Sequence, residues 1–469
     1  MDTLYDRLYR YGESDYYGFH MPGHKRNRRR FGEGLPYGID ITEIDGFDDL
    51  HHPSGILKKA QQEASDVYGA EETRFLVNGS TAGILSGILG CTRRGDAVLV
   101  ARNCHKSVYH AIYMNELEPV YLYPGVRQDL QLNTEISVSA VKAALNAHSR
   151  IKAVVIVSPT YDGVVSDVAG IAAEVHKKGI PLIVDEAHGA HFGFHPYFPE
   201  SALTQGADVV IHSLHKTLPA LTQTALLHVG GTLADRERIF RYLDMLQSSS
   251  PSYVLLAGID RCIHLLAEKR QELFVPYVAQ LKELRERLGR LSHLTLSETC
   301  RFDRSKLILS GARTNLTGRE LYLRLLHTYH LQLEMAAGSY ALAMTSVGDA
   351  REGFERLALA LEEIDASLEE RPPMQAVPAG LPENELVFTS SDMEKAALRE
   401  GCLEEKPLEE SAGCIAAEYA YLYPPGIPIL VPGERISRES AALLTERRRQ
   451  GFTLEGMEKE GIIKVWNNG

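Results

Sequence analysis

Short apolar runs recur along the first half of the chain, separated by polar segments with helical spacing. Arg74-Phe75-Leu76-Val77, Ala97-Val98-Leu99-Val100, Val154-Val155-Ile156-Val157, Pro181-Leu182-Ile183-Val184 and Val209-Val210-Ile211 each read as a short buried strand. Between Gly55 and Tyr68, the residues Ile56, Ala60, Ala64 and Val67 fall on one helical face. A second helix, from Val168 to Lys178, has Asp167 as its N-cap and Gly179 as its stop. Apolar strands alternating with helices predict an α/β fold, a mostly parallel sheet covered on both faces. Ligands of such sheets bind beyond the carboxyl ends of the strands.

The second half has a different rhythm. Residues 232 to 290 are helical, interrupted by the loop Gln247-Ser248-Ser249-Ser250-Pro251. The strand Lys306-Leu307-Ile308-Leu309 and helices from Gly318 to Tyr329 and from Asp349 to Leu368 predict a smaller α+β domain. Arg371-Pro372-Pro373 reads as a linker, and the Pro/Gly-dense run 422–434 excludes a helix and predicts an ordered turn. Residues 1–50 have weak periodicity and little core of their own, so they are expected to pack as an arm on another surface, a partner subunit included. The expected division is an arm (1–50), a large α/β domain (51–292), a small α+β domain (293–370) and a C-terminal domain (371–469).

Composition and charge narrow the function classes. With 50 Lys+Arg against 62 Asp+Glu, the net charge of -12 argues against nucleic acid as a partner, despite the local cluster Lys25-Arg26-Asn27-Arg28-Arg29-Arg30. No run approaches the roughly 18 apolar residues of a membrane span, and the N-terminus lacks a secretory pattern. The six cysteines are scattered, without a CxxC pair or metal-ligand spacing, which fits reduced thiols of a cytoplasmic protein and no metal site.

The chemistry gathers at the strand ends. Asn78-Gly79-Ser80-Thr81 lies between a strand and an apolar helix, where backbone N–H groups, the helix dipole and two hydroxyls converge on an anion. His105 follows the second run, Asp185 and His188 the fourth, and Ser213, His215 and Lys216 the fifth. Singly, each has a plainer reading: a helix cap for Ser80 and Thr81, a loop carboxylate for Asp185, a satisfied core histidine for His105. Jointly they match what pyridoxal 5′-phosphate requires. Lys216 supplies the covalent amine, Ser80, Thr81, Ser213 and His215 the phosphate donors, and His105 a flat ring. Asp185 supplies a carboxylate to keep the pyridine nitrogen protonated, and His188 a donor for the ring oxygen.

The motifs that carry this chemistry resemble the pyridoxal-phosphate-dependent ornithine/lysine/arginine decarboxylases. They are Phe19-His20-Met21-Pro22-Gly23-His24-Lys25, Asp48-Asp49-Leu50-His51, Asn78-Gly79-Ser80-Thr81, Asn103-Cys104-His105-Lys106-Ser107, Pro159-Thr160-Tyr161-Asp162-Gly163, Val184-Asp185-Glu186-Ala187-His188-Gly189, Ser213-Leu214-His215-Lys216 and Tyr423-Pro424-Pro425-Gly426. The resemblance implies fold type I of the pyridoxal-phosphate enzymes, that of aspartate aminotransferase. It also implies decarboxylation of a basic amino acid, with Lys216 carrying the cofactor, Asp185 at its ring nitrogen and His105 stacked on its face. The Ser248-Ser249-Ser250 loop, with Ser249 at its centre, resembles a segment that reaches the phosphate from the neighbouring subunit, so a homodimer with shared sites is expected. The longest family members carry an N-terminal response-regulator-like domain. Here the arm starts almost at Met1, and their large assembly is not expected.

Substrate choice is less determined. A cationic side chain needs a carboxylate or carbonyl at a set distance from Cα, and Asp162, Glu334, Asp49 and Glu434 are candidates. Rival readings are an aminotransferase or carbon–carbon lyase, with Arg313 read as the α-carboxylate ligand, and a catalytically inactive regulator on the same fold.

Overall fold

The computed structural model describes residues 15–19, 43, 47–130, 132–371, 380–400, 403–423, 426–450 and 452–466. The cluster Lys25–Arg30 and most of the motif around Pro22 lie outside them. Tyr17–Phe19 (β1) pairs in parallel with Leu331–Leu333 (β11), so the described part of the arm is an added strand on this chain's own second-half sheet system. Phe19 is fully buried there, and Tyr17 Oη donates to Asp349 Oδ1 at 2.9 Å.

The apolar runs become one sheet. Its strands are Glu72–Leu76 (β2), Ala97–Ala101 (β3), Glu118–Leu122 (β4), Ile151–Val157 (β5), Leu182–Asp185 (β6), Val209–Ser213 (β7) and Ala225–Val229 (β8). Among the described residues they form seven strands in the order β2-β8-β7-β6-β5-β3-β4. Pairs β3/β4, β3/β5, β5/β6 and β6/β7 are parallel, and β8 runs antiparallel to both neighbours. The ends of β3, β6 and β7 therefore open on one edge, which brings His105, Asp185 and Lys216 to a common rim.

Helices cover both faces. Ile56–Tyr68 (α1) closes with Gly69 at φ 68°, and Gly79–Cys91 (α2) lies against the sheet. A Cβ on Gly83 would meet Leu76 Cδ1 at 2.7 Å, so glycine at this turn is what lets α2 approach so closely. Lys106–Met114 (α3) follows His105, Val138–Ala147 (α4) precedes β5, and Val168–His176 (α5) carries the expected cap, Asp167 Oδ1 accepting from Gly170 N at 3.1 Å. The one-turn helix Leu214–Thr217 (α6) holds Lys216. Arg236–Leu246 (α7) and Tyr253–Leu288 (α8) flank the serine loop.

A four-stranded antiparallel sheet follows, ordered Thr295–Ser297 (β9), Lys306–Ser310 (β10), Tyr340–Met344 (β13), Met335–Ala336 (β12). Gly318–Tyr329 (α9), with a Thr317/Glu320 capping box, and Arg351–Ala366 (α10) pack on it. The described residues of the run 422–434 form no helix, yet they make more than a turn. Ala420–Tyr423 and Ile427–Leu430 are paired strands, with Gly426 at φ 82° between them. Pro428 fits because its strand is the edge of its three-stranded sheet, where one face of the backbone needs no ladder donor.

Of the cysteines, Cys104 and Cys262 are buried, Cys91 and Cys414 partly so, and Cys300 exposed. Among the described residues, no helix is long and apolar enough to cross a membrane.

Candidate active site

Lys216 is the third residue of α6, which directly follows β7, and its Nζ lies 2.9 Å from His188 Nε2. Burial lowers its pKa, opposed by the charges of Asp185 and Glu334. Asp185 ends the adjacent strand β6, is 4% exposed, and accepts from Ala187 N at 3.1 Å. Burial raises its carboxyl pKa and the nearby Lys216 charge pulls the other way. His188, on the loop after β6, is 5% exposed, with the Tyr161 ring 4.7 Å away at 58°. Burial first, then Lys216 and Lys306, hold His188 far below the usual histidine range, so its ring is neutral.

His105 is the N-cap of α3. Its Nδ1 accepts from Ser107 N at 3.2 Å, which leaves the ring hydrogen on Nε2 and fixes the plane. Burial, helped by Lys216, pushes its pKa down to about 3. An uncharged, fixed ring beside Lys216 is suited to stacking on a flat π-system.

The Ser80 and Ser213 hydroxyls meet, Ser213 Oγ donating to Ser80 Oγ at 2.9 Å. They bring β7 to the first turn of α2, whose leading N–H groups have no partners within the helix. Thr81 is exposed one residue further on. His215 Nδ1 lies 3.0 Å from Thr224 O, which can only accept, so a neutral His215 has no second N–H to offer. Burial lowers its pKa to about 4. His215 therefore donates to an anion through Nε2 only after taking up a proton, a change that the anion itself favours. Ser249 is exposed on a loop held beside α2, where Ser248 N donates to Asn78 Oδ1 at 3.2 Å and Ser248 O lies 3.0 Å from His51 Nε2.

The profile described as Orn/Lys/Arg decarboxylase, major domain, matches residues 2–312, and that of the corresponding C-terminal domain matches 380–449. The chain belongs to the Orn/Lys/Arg decarboxylase family. It is 37% identical to the uncharacterised protein YaaO of Bacillus subtilis over 94% of this chain and 93% of that one. It is 32% identical to the arginine decarboxylase of the same organism over 98% and 96%. Among solved structures it resembles the Francisella novicida lysine decarboxylase LdcF, with TM-score 0.76 and 19% identity, over 99% of this chain and 77% of that one. That likeness and others place the fold in type I of the pyridoxal-phosphate enzymes.

For a member of this family the four candidate substrate acids separate cleanly. Glu334, between β11 and β12, accepts from the Tyr161 hydroxyl, and its charge reaches Lys216. Asp162 is near Lys306 and accepts from Tyr340 Oη at 2.5 Å. Asp49 is instead a turn acid, accepting from His51 N at 2.8 Å and His52 N at 3.3 Å. Glu434 is a structural acid, fully buried against Arg102 with two contacts at 3.2 Å. Arg313, with its side chain 69% exposed, pairs loosely with Glu370 at 3.8 Å and is no ligand of the buried site.

Two further residues line the site. Tyr161 lies within the motif Pro159-Thr160-Tyr161-Asp162-Gly163. Lys306 lies in no motif, although a lysine opening the apolar run Leu307-Ile308-Leu309 is itself a signal that the amine has a buried purpose. It is fully buried, with Nζ 3.3 Å from His188 Nδ1.

Proposed function

We propose that this protein holds pyridoxal 5′-phosphate on Lys216 and decarboxylates a basic amino acid (lysine, arginine or ornithine) to cadaverine, agmatine or putrescine, a step of polyamine biosynthesis. The observation that carries the reading is that the buried Asp185 carboxylate, at the end of one strand, and the Lys216 amine, just past the end of the adjacent parallel strand, lie within electrostatic reach of each other. A buried acid that accepts a hydrogen bond from Ala187 N is still costly unless a cation or further donor completes it, and a protonated ring nitrogen would do so. The donor set fits the rest of the cofactor as well. Ser80, Thr81, Ser213 and a protonated His215 are phosphate ligands in this reading, His105 stacks on the ring, and His188 binds at the ring oxygen.

When bound, the cofactor accepts the electron pair that departing CO2 leaves at the substrate Cα. The chain's own residues do the remainder. Lys216 would hold the cofactor covalently, and its lowered pKa keeps the amine nucleophilic. Asp185 would hold the proton of the cofactor's ring nitrogen. Lys216 or His188, 2.9 Å apart, returns a proton to Cα. Glu334 and Asp162 are the acids placed to receive the substrate's cationic end.

The division into arm, large, small and C-terminal domains at 1–50, 51–292, 293–370 and 371–469 belongs to the same proposal. So do a cytoplasmic location and a homodimer in which Ser249 completes the partner's phosphate site. CO2 release measured with each of the three amino acids tests reaction and substrate together, and a keto acid formed without CO2 would refute it. Purified protein is expected to be yellow, with borohydride fixing the cofactor to Lys216. Lys216→Ala is expected to lose both the fixation and the activity.

A further inference from the structure

Beyond the motif residues, the four-stranded sheet sends one charged side chain into the site. Lys306 opens β10 and passes Gly163, where a Cβ would meet Lys306 Cγ at 2.7 Å. The Gly163 φ of 99° also requires glycine, so the loop after β5 is shaped around this lysine stem. At its tip, Lys306 Nζ lies 3.3 Å from His188 Nδ1, and across the ring His188 Nε2 lies 2.9 Å from Lys216 Nζ.

A neutral imidazole has one N–H and one lone pair. Set between two amines, it admits two proton arrangements. In one, the Lys216 ammonium donates to Nε2 and Nδ1–H donates to a neutral Lys306. In the other, the Lys306 ammonium donates to Nδ1 and Nε2–H donates to a neutral Lys216. The two differ by moving one proton from Lys216 to Nε2 and one from Nδ1 to Lys306, so the net charge is unchanged. The charged groups facing His188 are Lys216, Lys306, His215 and His105, with the Tyr161 ring alongside. Lys306 in turn acts on Asp162 and Asp303, the latter accepting from His191 Nε2 at 3.1 Å. Carboxyl groups flank both amines, Asp162 and Asp303 acting on Lys306 and Asp185 and Glu334 on Lys216, and only the second arrangement leaves Lys216 able to attack a carbonyl.

We propose that Lys306 is a positioning residue that acts through His188: its ammonium locks the ring with Nε2–H toward Lys216 and keeps the Lys216 amine free of its proton. The inference rests on the proposed role of Lys216 in holding the cofactor.

The test is Lys306→Met, read first without substrate. The midpoint of the pH-dependent visible absorbance of the bound cofactor is expected to move by about one pH unit or more. The kcat is expected to fall about ten-fold or more, with KM within about three-fold of wild type. Lys306→Arg, which keeps the charge, should restore much of both. On a His188→Gln background, Lys306→Met should cost less than about two-fold further, because the path is already cut. An unmoved absorbance midpoint with only a lower Tm would make Lys306 structural and overturn the proposal. Full additivity with His188→Gln would overturn it too, by showing that Lys306 acts on the substrate directly. If Lys306→Met does not fold, nitrogen NMR of the wild-type His188 ring, assigned with His188→Gln, decides. Protonated Nε2 supports the proposal, and protonated Nδ1 refutes it. A wild-type protein that takes up no pyridoxal phosphate would instead refute the cofactor reading beneath it.

Discussion

Replacing Glu434 by glutamine should unseat the C-terminal segment. Glu434 Oε2 accepts from Arg102 Nη2 at 3.2 Å, Val431 N at 3.0 Å and Asn384 Nδ2 at 3.2 Å, while Oε1 accepts from Arg102 Nη2 at 3.2 Å. An amide has one oxygen for these two positions. If it serves Val431 and Asn384, its NH2 faces the guanidinium, donor against donor, and Arg102 is left as an uncompensated buried cation. Arg102 keeps neutral partners, donating to Pro428 O at 2.5 Å and Ile429 O at 3.2 Å, and these soften the loss without cancelling charge. Breaking one side of a buried pair costs about 3–5 kcal/mol, a large share of a typical stability of about 5–15 kcal/mol. Arginine stays protonated throughout the accessible pH range, so no relief comes from titration.

The chain contains a single tryptophan, which simplifies the assay. Trp466 is 5% exposed on the C-terminal strand Ile462–Trp466, edge-on to Phe388. Its fluorescence in urea reports on the segment that Glu434 anchors. With a urea slope of about 2 kcal/mol/M, the Glu434→Gln midpoint should fall by about 1.5–2.5 M. The double variant Arg102→Met/Glu434→Leu removes both charges and should recover most of the loss. A single-variant midpoint within about 0.3 M of wild type would refute the reasoning, because it would show that the pair contributes nothing net.

Two further predictions concern titration. Glu186 is buried, and burial raises its pKa to about 8 against Ser201, Ala202 and His191. A raised acid contributes stability that is present below its unfolded value of 4.5 and lost as pH climbs toward 8, at up to about 1.4 kcal/mol per pH unit. Glu186→Gln should remove one proton's worth of that slope in urea unfolding between those values, and an unchanged slope would refute it. Asp48 is pulled up by burial but held down to about 2 by the N–H groups of Ser54, Asp49, Gly55 and Leu57 at the start of α1. Its contribution is present above 3.8 and lost as pH falls toward 2. Asp48→Ala should therefore cost about 1–2 kcal/mol at neutral pH and progressively less in acid, measured by thermal melts across pH.

The parallel strands were legible because burial on both faces demands continuous apolar runs, and β3, β5, β6 and β7 all have them. β4 was not, since Glu118-Pro119-Val120-Tyr121-Leu122 is an edge strand with a half-exposed pattern and a proline. β8 is apolar and pairs locally with β7, but its placement beside β2 depends on pairings 149 and more residues away, as between Ala225 and Leu76. Lys216, Asp185, His188, His105, Ser80 and Ser213 stand out in the sequence as candidates because strand ends concentrate polar residues, and the fold brings them to one rim. What the chain could not disclose was pairing across its length. Glu434 looked like any acid until Arg102, 332 positions earlier, was seen to consume it.

The same long-range pairing explains how a site assembled from separate strand ends keeps its geometry. Arg102 directly follows β3, three residues before His105, and Lys106 N donates to Gly426 O at 3.2 Å. The C-terminal segment thus clamps the His105 loop from both sides through Arg102 and Lys106. On the opposite side, Asp303 N donates to Gly163 O at 2.8 Å and Val165 N to Arg301 O at 3.1 Å, stitching the loop after β5 to the strand that carries Lys306. Each clamp joins a part of the parallel sheet to an element contributed much later in the chain. The ring at His105 and the amine at Lys306 are therefore in position only when all the later segments have docked. A substitution such as Glu434→Gln, far in sequence from every motif, should accordingly loosen the site through the His105 loop while leaving Lys216, Asp185 and His188 in their contacts.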